Sequence, residues 1–208
     1  MSKSMFTKPI TKDQKMTTTN SSETIYVETS KEWRQWLMEN HRFAPSVWLI
    51  CHTRKSALPT IHWSELVDEA LCFGWIDSVR RSIDETKFTQ LFSKRKPNGT
   101  WSKVNKEKIQ RLIADGRMTA AGLAAVETAK QNGSWTILDE VEELIVPKDL
   151  EKAFKQHNGS KDYFLSLSKS VKKALLQRIV LAKRAETRQK RINEIAELAG
   201  QNKKPKQF

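Results

Sequence analysis

Asp77, Arg80, Arg81, Arg95, Trp101, Ser102 and Asn105 fall in one short stretch of the chain, and their types suit recognition of an anion. Arginine presents a planar fork of donors that matches a carboxylate or phosphate. Ser102 opens a helical stretch, where unpaired backbone amides also favour negative charge. Trp101 would supply a stacking wall, and Asp77, just after a Gly-Trp-Ile turn, would orient one of the arginines. Arg80 and Arg81 are neighbours in a strand-like run, so one points to each face. Which one points inward stays open, because a one-residue change of register exchanges them. The same residues also read as an ion-pair network fixing a hairpin against a helix. A third reading is the pocket of a small-molecule enzyme built on Asp77, Arg80, Arg95 and Trp101. Arg184, Arg188 and Arg191 form a secondary basic surface near the C-terminus.

The distribution of charge supports an anionic partner. The chain carries a formal +13, yet residues 23–160 contribute only +1, whereas residues 161–208 contribute +9 and residues 80–111 contribute +7. Two basic blocks of this kind attract polyanions, although lysine-rich segments also serve as solubilising faces. Nucleic acid is one candidate partner: Phe88, Phe92 and Trp101 interleave with Lys87, Lys94, Arg95 and Lys96 in the manner of a stacking groove. The same aromatics sit at core-like positions, so both readings stand.

Other chemistries find less support. Cys51, His52, His62 and Cys72 do not have the spacing of a compact zinc site. The acidic run of Asp139, Glu140, Glu142 and Glu143 is the one surface of hard oxygen ligands, so no metal and no cofactor is expected. No phosphate-binding glycine loop, nucleophile elbow, HExxH or dinucleotide fingerprint is present. A Cys72–His62 nucleophile pair is conceivable, but an apolar helix face usually leaves a thiol inert. A non-enzymatic role is the favoured expectation.

These residues need elements to hold them. Residues 1–22 are polar and without apolar periodicity, which predicts a disordered basic tail. They also lack the apolar stretch of a signal peptide, and no run approaches the ~18 apolar residues of a membrane span. A cytoplasmic protein without membrane insertion is therefore expected, with Cys51 and Cys72 reduced and buried. TIYVE (24–28) alternates like a short strand and leads to a helix capped by Ser30, with Trp33, Trp36 and Leu37 on one face. VWLICHT (47–53) reads as a buried strand. Trp63, Leu66, Val67, Ala70 and Leu71 describe a core-facing helix that Gly74 ends. Residues 75–83 and 87–94 predict a hairpin about Asp84-Glu85-Thr86. Thr100 or Ser102 caps a helix reaching Gly116, and Thr119 caps the next. Pro147 marks a boundary, beyond which helices are predicted over 149–157, 161–167, 171–182 and 185–199.

The stretch ALCFGWIDSVRRS (70–82), Trp101-Ser102 with Asn105, and AKRAETRQKRI (182–192) together resemble the YdeI/OmpD-associated family of bacterial proteins. The resemblance runs from about residue 26 to 204. The family's affiliation with YjbR- and frataxin (CyaY)-like folds implies an α+β body with an antiparallel sheet and packed helices, followed by a C-terminal all-helical module. The divisions expected are a 1–22 tail, a 23–146 body, a 147–204 helical module and a 205–208 tail. The family's names refer to bacteriocin protection and to association with an outer-membrane porin. Most bacteriocin-like peptides are cationic and would be repelled by a +13 chain, so any protective role points to an anionic partner instead. Oligomeric state is open.

Overall fold

The computed structural model describes residues 23–53, 55–56, 58 and 61–205. The expected tail over 1–22 lies outside them. Among the described residues four strands, β1 (Thr24–Tyr26), β2 (Ser46–His52), β3 (Trp75–Ser82) and β4 (Lys87–Lys94), form one sheet in the order β1-β2-β4-β3. The β3–β4 hairpin and the β2–β4 pair are antiparallel, but β1 runs parallel to β2. The sheet is therefore mixed rather than wholly antiparallel. The reason is the helix α1 (Ser30–Asn40), which lies between the two strands and carries the chain back to the same end of the sheet.

Alternation sorts β2 and β4 into two faces. Val47, Leu49 and Cys51 with Phe88 and Phe92 point inward. They share one core with Trp33 and Leu37 of α1 and with Leu66, Val67 and Leu71 of α2 (Trp63–Cys72), and α3 (Lys103–Ala114) and α4 (Ala120–Gln131) pack in turn on α2. The Trp33 and Phe92 rings lie 5.2 Å apart. Gln90 is an inward polar residue; its Nε2 donates to Val79 O (3.3 Å) at an irregularity between Asp77 and Arg80 in β3. Cys51 and Cys72 are buried and free, and burial pushes the Cys51 thiol up to about 11.

Two acids from α2 are carried into this core, each between two cations. Asp68 accepts from Lys108 Nζ (2.7 Å) and pairs with Arg111, while Glu69 pairs with Arg34 (2.7 Å) and Arg117 (2.6 Å). These bridges tie α1 and α3 to α2. Helix α4 approaches more closely still. A Cβ on Gly122 would stand 2.3 Å from Cys72 O, and Gly74, at φ +72°, would meet Ala121 O at 3.1 Å. Only glycine admits this contact between α4 and the turn after α2.

The C-terminal half is helical: α5 (Asp139–Glu142), α6 (Lys148–Phe154), α7 (Ser160–Ser166), α8 (Lys169–Val180) and α9 (Ala185–Gly200). Leu150, Phe154, Phe164, Leu176, Ile179, Ile192 and Ile195 form a second buried cluster, separate from the one on the sheet. The acidic run noted in the sequence sits at the junction. Lys103 and Lys106 of α3 pair with Glu143 (3.0 Å) and Asp139, while Lys173 of α8 pairs with Glu142. Caps follow their chemistry: Ser102 Oγ accepts from Asn105 N (3.3 Å) and Thr119 Oγ1 from Gly122 N (3.4 Å). At α1 the cap is Thr29, whose Oγ1 accepts from Glu32 N (3.2 Å), and not Ser30, which is already the first helical residue.

Candidate functional site

Arg95 is the first residue beyond β4. Its backbone N–H donates to Gly74 O (2.9 Å), which fixes the strand end against the turn that follows α2. The next residues turn at Gly99, whose N–H donates to Lys96 O (2.8 Å). Asn132, at the end of α4, holds this loop by donating to Pro97 O (2.8 Å) and Asn98 Oδ1 (3.1 Å). The Arg95 side chain folds back over the loop it precedes. Its Nη1 donates to Thr100 O (3.1 Å), and its guanidinium carbon lies 3.5 Å from the centroid of the Trp101 ring. Nε and Nη2 are buried and have no hydrogen-bond partner among the described residues.

That arrangement is chemically unusual. A desolvated guanidinium ordinarily sits against a carboxylate, because removing a charge from water is costly unless it is paired. Among the described residues Arg95 has no ion pair within 4 Å; Asp77 acts on it only through its field. Burial lowers the Arg95 pKa to about 10, which the nearby Asp77 charge opposes. The group is still cationic at neutral pH. Asp77, for its part, accepts a hydrogen bond from Trp63 Nε1 (3.2 Å) rather than from an arginine. Its pKa is raised, because burial outweighs the Trp63 bond, its own backbone amide and the Arg95 charge.

Asp77, Arg95, Ser102 and Asn105 line one cleft of about 480 Å³, together with Lys96 and Glu142. Helix α3 begins on it, but its opening is already occupied. Ser102 caps it internally, and Glu142 Oε1 accepts from Lys103 N (3.3 Å). The anion expected at these amides is thus supplied by the protein itself.

The remaining candidates lie elsewhere. Trp101 is 2 % exposed, with Arg95 on its ring and Trp135 at 5.0 Å, so it backs the arginine instead of offering an open stacking wall. Arg80 stacks over the inward Phe88 (3.6 Å) and Arg81 over Trp48 (4.5 Å), on opposite faces. Arg80 pairs with Gln90 in register, five positions before Arg95. At ~3.3 Å per residue this is about 16 Å along the strand, too far to share a small ligand. Phe88 and Phe92 are likewise core residues, 9 % and 0 % exposed, which corrects their reading as a base-stacking groove.

The secondary surface is also largely committed. Arg188 makes a two-pronged pair with Asp149 (2.7 and 3.1 Å) and donates to Ile179 O (3.3 Å), holding the Asp149 carboxyl below the usual range. Arg191 donates to Arg178 O. Carbonyls at the end of α8 need donors, and these arginines supply them. Of the three, Arg184 alone is exposed. Sequence reasoning missed Trp63 as the Asp77 partner and Glu142 as the cap of α3. Both come from other elements, 14 and 39 residues away, and no local pattern announces them.

The fold and the cleft define an α+β protein with a helical C-terminal half and an arginine held in a polar cleft. Residues 143–202 match the family described as "Bacteriocin-protection, YdeI or OmpD-Associated". Residues 25–125 match a separate model, "Domain of unknown function (DUF8412)", so the ALCFGWIDSVRRS stretch lies in that second match. The cleft draws Asp77, Arg95 and Asn105 from one matched segment and Gln177 from the other. No curated protein and no solved structure matches the chain. No helix among the described residues is long and apolar enough to cross a membrane.

Proposed function

We propose that the protein is a non-enzymatic, cytosolic module that binds a small anionic ligand, a phosphate or carboxylate, with Arg95 as its anchor. One observation carries this reading. Arg95 is a cation at neutral pH, is desolvated on a buried tryptophan, and keeps Nε and Nη2 without an acceptor. Unsatisfied buried donors are rare and call for a reason. An anion would offset the cost of burying the charge. Lys94 stands beside it as a further cation. The frataxin- and YjbR-like affiliation of the body belongs to the same proposal and is supported by its sheet with packed helices. Bacteriocin protection would then run through an anionic partner.

A small ligand is favoured over nucleic acid because the aromatic residues between the lysines are core residues. The test is titration of the full chain with phosphate and acetate, followed by tryptophan emission at constant ionic strength. Fluorescence anisotropy with single- and double-stranded DNA and RNA runs beside it. Saturable binding of a small anion supports the reading. Tight nucleic-acid binding that weakens steeply with salt, with no response to small anions, replaces it.

A further inference from the structure

Arg95 also borders a second cleft, of about 630 Å³, on its other flank. It is bounded by the end of α1, the turn after α2, the end of β4 and the first turn of α4. The volume falls within the ~300–1,000 Å³ of small-molecule sites. Its charge is one-sided: Arg42, Lys94 and Arg95 line it, and no carboxylate does among the described residues. The 480 Å³ cleft, by contrast, carries Asp77 and Glu142, which repel an anion.

Met38, Phe73 and Trp75 give it an apolar wall, joined by Ala120 and Ala121 from the first turn of α4, with His41 and Thr119 as its neutral polar members. These two residues open the 12-residue helix α4, whose Gly122 amide is already capped by Thr119. A second observation points the same way. Trp75 is 1 % exposed, and its indole Nε1 is buried with no acceptor, as are two nitrogens of Arg95. Trp75 and Arg95 both line the cleft, and each holds a buried N–H group without an acceptor among the described residues. The floor is rigid, because Gly74 and Gly122 lock α4 against the turn with no room for a methyl group at Gly122.

The geometry points to this cleft as the binding site for a carboxylate with an apolar body, such as an aliphatic or aryl acid. The head group meets Arg95 and Arg42, and the body lies on Met38, Phe73 and Trp75. This rests on Arg95 as the anion's anchor and adds the ligand's chemical class and the flank it occupies.

Isothermal titration of the full chain with octanoate, acetate, octanol and octylammonium tests it. The inference expects octanoate to bind more than tenfold tighter than acetate, and octanol and octylammonium to bind more weakly than octanoate by a similar factor. Arg42→Glu, at an exposed side chain, should weaken octanoate at least tenfold with an unchanged circular dichroism spectrum. Arg81→Glu, on the other face of the sheet, should leave it unaltered. Equal affinity for octanoate and acetate overturns the inference and leaves the anion reading standing. Octanol binding as tightly as octanoate, or an Arg42→Glu protein with wild-type affinity, also overturns it. No binding of either acid overturns the inference, and the anion reading then stands or falls with phosphate.

Discussion

The Arg95 guanidinium lies 3.5 Å from the centroid of the Trp101 ring, and Trp101 is itself 2 % exposed. A cation over a desolvated indole gains about 2 kcal/mol, less than the several kcal/mol that burying an ion costs. One hydrogen bond, to Thr100 O, adds to the balance. The charge persists nonetheless, since a pKa of about 10 leaves it protonated at pH 7. The pair behaves as a loaded donor set, held in place by the Asn132-anchored loop.

Asp77 opposes an anion bound to Arg95. Its folded pKa lies above its ordinary 3.8 because of burial. The folded state thus holds its proton to higher pH than the unfolded chain does, and the charged form costs stability above 3.8. That cost is relieved as pH falls through the raised folded value. Anion affinity should therefore strengthen as pH falls through that raised value. Asp77→Asn should raise affinity about threefold at pH 7, the scale of one screened charge, and flatten this pH dependence. Titrations with sulfate, whose charge is constant over this range, between pH 4.5 and 8 read both effects; an Asn variant with a wild-type profile would show that Asp77 is remote from the ligand.

Asp68 is structural. It is 6 % exposed and shared by Lys108 and Arg111. Asp68→Ala leaves the nearly buried Lys108 ammonium without its carboxylate and should cost about 3–5 kcal/mol. Urea unfolding measures this, and a loss under 1 kcal/mol would mean that Lys108 finds solvent.

Gly122→Ala places a methyl carbon 2.3 Å from a backbone carbonyl oxygen. Overpacking of this kind costs about 3 kcal/mol, and here it must push α4 away from the turn after α2. A lowered unfolding midpoint together with weakened octanoate binding is expected. An unchanged protein would show that α4 does not press on Cys72.

Much of the fold was legible from local pattern. The i, i+3, i+4 spacing of Trp33, Trp36 and Leu37, the Asp84-Glu85-Thr86 turn, and the Ser102 and Thr119 caps correspond to elements within a residue or two. The parallel placing of β1 was not, because pairing partners of a three-residue strand are set by tertiary packing. At the candidate site, Asp77, Arg95, Ser102 and Asn105 share a cleft because the hairpin's open end meets the start of α3. Arg80 and Arg81 looked close in sequence, but β3 carries them toward the opposite end of the sheet. Arg188 looked like surface charge; its use by Asp149 and Ile179 O depends on how α6, α8 and α9 pack. Long-range partners of charged residues leave no periodic signature.

The most direct test of Arg95 as an anion anchor is the thermal unfolding midpoint of wild type and Arg95→Met, each with phosphate, acetate or chloride at equal ionic strength. Methionine keeps the length and removes the unpaired donors. The expected result is a wild-type midpoint that rises with phosphate or acetate over chloride, and a variant that shows no rise. The variant's ligand-free midpoint should be equal to or above that of wild type, since a buried, unpaired charge has been removed. A variant several degrees less stable than wild type, with the same response to anions, would contradict the account and make Arg95 a structural residue.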